Sequence, residues 1–117
     1  MRLKLPMKFN IGGFSDVSEK IRSNDVYDVY DLKALNNIVV SMTVLHGGKC
    51  TSGHYHDKEE EVYMFLEGSG EMQLGDDRFA VSKGDVVLIN GGRFHKVFNT
   101  GKDELKFFCV FEKYQGR

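Results

Sequence analysis

The stretch GHYHDKEEEVYMFLEG, residues 53–68, gathers the side chains best suited to chemistry. His54 and His56 stand two apart, and in an extended strand positions i and i+2 project from one face, roughly 6 to 7 Å apart. Two imidazoles side by side can share a metal ion if further donors arrive from elsewhere in the chain. Glu59, Glu60 and Glu61 follow closely. The competing reading is a solvated polar turn that happens to contain two histidines. Spacing alone leaves both open, and it does not say which glutamate would join a metal. His46 ends an apolar run before Gly47, and no spacing ties it to the pair, so it reads as a rim or surface residue. Cys50 and Cys109 form no CxxC pattern and read as reduced thiols, Cys50 a small packing residue and Cys109 core.

The elements that must hold these groups are short strands. Helical periodicity is nearly absent; only SDVSEKIRSN (15–24) suits a helical turn or two, with Ser15 or Asp16 as cap. Elsewhere β-branched and aromatic runs are cut by turn residues at close spacing, the pattern of an all-β sandwich or barrel. VYDVYDL (26–32) reads as an edge or half-exposed strand. NIVVSMTVLH (37–46) and EVYMFLEG (61–68) are apolar on both parities. EMQLGDDRFAV (71–81) is a hairpin turning at Gly75, Asp76 and Asp77. DVVLI (85–89), FHKVFN (94–99) and ELKFFCVFEK (104–113) complete the series, the last read as core. In 61–66 the parity puts Glu61, Tyr63 and Phe65 on one face, lining a pocket, and Val62, Met64 and Leu66 on the other, packing into the protein.

Size and charge narrow the functions. The 117 residues suit one domain, and at 41% apolar and 28% charged the composition is globular rather than disordered. Sixteen basic residues against 17 acidic ones give a net charge of −1 with no basic block, which argues against a nucleic-acid groove or an anionic membrane partner. MRLKLPMKFNIGG lacks the apolar run of a secretory signal, so a cytoplasmic protein is expected.

Two blocks of the chain resemble the cupin family. GKCTSGHYHDKEEEVYMFLEG (48–68) has the glycine, His-x-His pair, glutamate and glycine of the first cupin motif. GDVVLINGGRFHKVFN (84–99) has the second, with Asn90 where proline is usual. The resemblance implies a double-stranded β-helix, or jelly roll, as a single domain over 1–117 with an N-terminal arm at 1–25. It also implies a metal site of His54, His56, Glu61 and His95, with Glu59 and Glu60 left as turn surface. One divalent transition metal per chain is expected, and manganese, iron, nickel, zinc, cobalt and copper all suit three imidazoles and a carboxylate. Four protein donors leave positions open for water or a small ligand. Asn99 would tie backbone near the site.

TSGHYH followed by EVY is also similar to the archaeal cupin-type phosphoglucose isomerases, although those chains are longer, as is their link from the second histidine to the glutamate. That resemblance implies a metal-dependent sugar or sugar-phosphate isomerase, acting on a substrate such as glucose or mannose 6-phosphate. Glu61 or a bound hydroxide would be the base, and Tyr63 a second catalytic group, with a core tyrosine the equal alternative at that position. Thr51, Gly53 and Tyr63 would contact substrate, and Lys49 and Arg93, with Lys96 nearby, would supply positive charge for the phosphate. Two other functions are compatible with such a site: an iron- or copper-dependent dioxygenase, and a non-catalytic protein that binds a small molecule through its metal. Cupins are commonly dimers, so a homodimer is expected, with 1–14 and 26–32 at its interface.

Overall fold

The computed structural model describes residues 7–55 and 57–114. A 3-10 turn (Ile11–Gly13) leads into one helical turn, α1 (Phe14–Val17). Nine strands follow: β1 (Glu19–Ser23), β2 (Tyr27–Leu32), β3 (Ile38–Leu45), β4 (Glu61–Glu67), β5 (Ser69–Leu74), β6 (Asp77–Ser82), β7 (Val86–Ile89), β8 (His95–Phe98) and β9 (Leu105–Glu112). They form a six-stranded sheet in the order β1-β2-β3-β9-β4-β7 and a three-stranded sheet in the order β6-β5-β8. All pairings are antiparallel. This is the expected all-β jelly roll.

The alternation along each strand explains the packing. On the inner face, Val39, Leu45, Phe65, Met72, Val97, Leu105 and Phe107 build the main core between the sheets. On the outer face of the large sheet, Met42, Val44 and Phe108 form a second cluster, capped by the fully buried Phe14 of α1. Met64 and Leu66 join that outer cluster. Two of the second parity set of β4 therefore pack against the outer cluster that Phe14 covers and not into the barrel.

One expectation needs correction, and a second is narrowed. The helical turn placed over 15–24 exists only at its start. Ser18 leaves helical geometry with ψ 171°, its hydroxyl donating to the Phe14 carbonyl at 2.7 Å, and the chain continues as β1. Pairing with β2 outweighs the weak local helical preference. Of the two readings of 26–32, β2 is no edge, since β1 and β3 flank it, but it is the half-exposed strand, most of its residues being partly buried. The hairpin at 71–81 is present, with Leu74 opposite Asp77 across a two-residue turn.

Candidate metal centre

Three of the four expected donors lie among the described residues, and they converge; His56 lies outside the described residues. The convergence begins with the backbone. Residues 49–54 run antiparallel along β8: the Asn99 N–H donates to the Lys49 carbonyl at 2.8 Å and the Thr51 N–H to the Val97 carbonyl at 2.9 Å. His54 and His95 then exchange both of their backbone hydrogen bonds, at 3.1 and 3.0 Å. Residues directly opposite in an antiparallel pair project to the same side, so both imidazoles face the cavity. Tyr55, the next residue, is exposed.

Gly53 makes this approach possible. Its φ is +80°, and a Cβ there would stand 2.6 Å from the Phe94 ring. The second turn is as tight. A Cβ on Gly91 would come 2.5 Å from the Lys58 carbonyl oxygen, so the turn after β7 presses directly on the loop that carries the glutamates. Asn90 closes that turn with its carbonyl accepting from the Arg93 N–H at 3.3 Å, and proline is not needed for it.

Glu61 comes from the opposite sheet. It opens β4, a strand flanked on both sides, where it pairs with Ile89 of β7 and Phe111 of β9. Its side chain is buried, with Oε2 at 3.2 Å from His95 Nε2 and Oε1 at 3.8 Å from His54 Nε2. The two Nε2 atoms are 2.9 Å apart. Donors bound at 2.0–2.2 Å to one centre lie about 3 to 3.5 Å from one another, so this spacing fits a shared cation. Two neutral imidazoles with one carboxylate also fit the chemistry of a divalent transition metal.

The surroundings set the donor state. His95 Nδ1 lies 3.1 Å from the Arg93 carbonyl oxygen, which can only accept, so Nδ1 carries a proton and Nε2 is the nitrogen left to face Glu61 or a metal. Tyr63 meets the His95 ring edge-on at 5.6 Å and stacks on Phe107 at 5.3 Å, which locks the imidazole orientation. Burial alone pushes the Glu61 carboxyl pKa up. The hydrogen bonds and charges of His54 and His95 outweigh that and hold it well below the usual carboxylate range. Glu61 is therefore a standing anion.

Two members of the triad, His54 and Glu61, open onto a cavity of about 650 Å³, and His95 is buried behind them. Thr51, Tyr63, His54 and Glu61 line it, as expected. Lys49, Gly53 and Arg93 are not among the described residues lining it. Arg93 instead donates to the Leu74 carbonyl at 3.1 Å. The Thr51 hydroxyl accepts from the Val97 N–H at 3.0 Å and so also braces the His54 segment. Glu59, read as turn surface, lines the cavity together with Asp57, Arg22, Tyr27 and Tyr114. Sequence reasoning missed these because loop and distant-strand residues carry no spacing that ties them to the motif.

The remaining candidates lie elsewhere. His46 Nδ1 sits 3.2 Å from Glu104 Oε2 and 58 residues away in sequence from it. Cys50 is exposed rather than packed, and Cys109 is buried as expected. Asn99 does tie backbone, donating to the carbonyls of Leu45 and Asp103 at 2.9 and 2.8 Å, but it does so at the far end of β8 from His95.

An antiparallel double-stranded β-helix with an inward histidine, glutamate and histidine defines a class of small barrel with a donor group that could hold a metal. Residues 40–111 match the family model for the Cupin domain, and the chain belongs to the cupin family. A protein from Methanocaldococcus jannaschii, uncharacterized protein MJ1618, is 42% identical over 53% of this chain and 50% of its own. A glucose-6-phosphate isomerase from Pyrococcus abyssi is 31% identical over 80% of this chain and 59% of its own. An oxalate-binding protein from Thermotoga maritima is 32% identical over 54% and 52%. The chain thus spans between half and three-fifths of these curated relatives. A double-stranded β-helix protein from Klebsiella pneumoniae shares the fold with a TM-score of 0.78 at 18% identity, over 96% of this chain and 94% of its own. No helix among the described residues is long and apolar enough to cross a membrane.

Proposed function

We propose that this chain is a metal-dependent isomerase of a sugar or sugar phosphate. The observation that carries the reading is the triad of His54, Glu61 and His95, two of whose members, His54 and Glu61, line a polar cavity large enough for a hexose while His95 is buried behind them. The likeness to an isomerase over most of this chain supports it. His54, Glu61 and His95 would hold the metal, with His56 as the fourth donor expected from sequence. A divalent cation there supplies charge that polarises sugar oxygens and stabilises the negative charge formed when a proton leaves the adjacent carbon.

The chain's own groups divide the remaining work. Glu61, held as an anion far below its usual pKa, is a weak base at neutral pH and acts as the anchoring carboxylate. Moving the proton between neighbouring carbons then falls to Asp57 or Glu59, the other carboxylates lining the cavity. Tyr63, buried beside His95, contacts the ligand from the wall and keeps the imidazole in place. Metal-reconstituted protein should interconvert glucose 6-phosphate and fructose 6-phosphate, or the mannose pair. If no divalent metal yields turnover of any such pair, the reading fails.

One comparison favours a second reading, a non-catalytic protein that binds a small molecule through its metal, since a relative is named for oxalate binding. Saturable ligand binding without turnover would select it. The same proposal includes a cytoplasmic homodimer. Met7 and Ile11 of the N-terminal segment and Val86 and Leu88 of β7 are exposed apolar side chains, which supports pairing with a second copy. A monomer mass by sedimentation at working concentration would remove the dimer.

A further inference from the structure

β1 and β2 change register once. Glu19 faces Asp31 and Lys20 faces Tyr30, whereas Arg22 faces Val29 and Ser23 faces Asp28. Ile21 is the extra residue of a β-bulge. With regular pairing, Arg22 would share a side with Lys20, on the outer face, where the Lys20 ammonium stands 5.4 Å from the Tyr30 ring centroid. The bulge turns Arg22 over to the inward face of Val29, which is buried and lines the cavity with Tyr27 and Thr43. Arg22 lines that cavity too, its Nη1 3.4 Å from the Tyr27 hydroxyl oxygen. Re-aiming a side chain near a site is a recurrent use of a bulge, at the cost of a ladder hydrogen bond.

Arg22 is the only lysine or arginine among the described residues that line the cavity. Its guanidinium meets a phenol and not a carboxylate in that contact, which leaves the planar fork able to take an anion through two parallel hydrogen bonds. Asp57 and Glu59 lie on the loop that runs into Glu61, and they repel an anion placed beside them. An anionic group is thereby steered from that loop toward β1, and neutral oxygens are left to face the metal donors.

We infer that Arg22 binds the anionic end, a phosphate or carboxylate, of a small hydroxylated ligand whose other end faces His54, Glu61 and His95. The inference rests on the cavity being the ligand site proposed above, and it replaces Lys49 and Arg93 as the anion-recognising groups. Its effect is to exclude neutral sugars.

Calorimetric titration of the metal-loaded full chain with glucose 6-phosphate, gluconate and glucose tests this. Wild type should bind at least one of the two anions about tenfold or more tightly than glucose. Which anion binds tells phosphate from carboxylate. Arg22→Ala should bring that anion to the glucose level, Arg22→Lys should keep part of the preference, and Lys20→Ala, on the outer face, should keep all of it. Unchanged thermal unfolding and metal content in Arg22→Ala would show that the loss is local. If the variant is poorly folded, Arg22→Lys and the salt dependence of wild-type binding carry the test. Equal binding of anionic and neutral probes, binding of none, or unchanged anion binding in Arg22→Ala overturns the inference. Arg22-dependent anion binding without turnover would count against the isomerase reading alone. Turnover of glucose 6-phosphate untouched in Arg22→Ala would count against Arg22 alone.

Discussion

The two ends of β4's inward face meet opposite demands. Glu61 and Tyr63 open onto the cavity, whereas Phe65, two residues on, is buried with Met72 and Leu105 in the apolar core. One strand thus passes from a charged donor to close-packed hydrocarbon within five residues. A carboxylate in the interior is tolerated only where partners offset its desolvation, and the cost stays at one end because the imidazoles of His54 and His95 are there to meet it. The rest of the barrel supplies the stability that keeps those three groups in place.

Breaking either end separates the two roles. Phe65→Ala should cost about 3–5 kcal/mol of stability, measured by chemical denaturation, while the molecules that remain folded bind metal with unchanged stoichiometry. His95→Ala should lower metal affinity by about 100-fold or more, exceeding what loss of an outer-shell partner produces. It also takes one partner from the buried Glu61 carboxylate, so the unfolding midpoint of the metal-free protein should fall, and adding Glu61→Gln should restore part of that loss. A metal-free stability unchanged in His95→Ala would show that Glu61 does not depend on that imidazole.

Gly53→Ala sharpens the boundary between the two. The substitution meets a left-handed φ and the Phe94 ring together, and should cost about 1–3 kcal/mol while displacing His54 enough to weaken metal binding. The smallest effect concerns acid. Glu61 titrates lower in the folded chain than unfolded, so its stabilising contribution is complete above the unfolded carboxylate value of about 4.3 and fades as pH falls below that toward its folded value. In metal-free protein, the stability gap between wild type and Glu61→Gln should therefore narrow as pH drops from 6 to 3. A gap that stays constant would mean that the histidines do not hold the carboxylate charged.

Much of this was legible in the residues. The strands announced themselves through β-branched and aromatic runs, and the resemblance of 48–68 and 84–99 to the two cupin motifs pointed to His54, His56, Glu61 and His95. Side-chain parity along 61–66 placed Glu61, Tyr63 and Phe65 together. What was hidden depends on pairing. SEKIRSN has no alternation that marks a strand, and the bulge at Ile21 exists only in register with β2, so Arg22 gave no sign of its direction. The basic residues near the motif, Lys49 and Arg93, were close in sequence and yet are not among the described residues lining the cavity, because neighbours along a turn need not share a wall. The outer cover supplied by Phe14 was equally unreadable, since it joins residues from three separate segments.

The bridge between His54 and His95 spans 41 positions of chain, and Glu61 reaches it from the facing sheet. No fragment ending before β8 possesses the complete constellation. A cation can meet the donors of 54–61 early, yet it gains His95 only in the finished barrel. Tight ion uptake during refolding would then trail the appearance of sheet structure, serving as a clock for the last closure of the molecule.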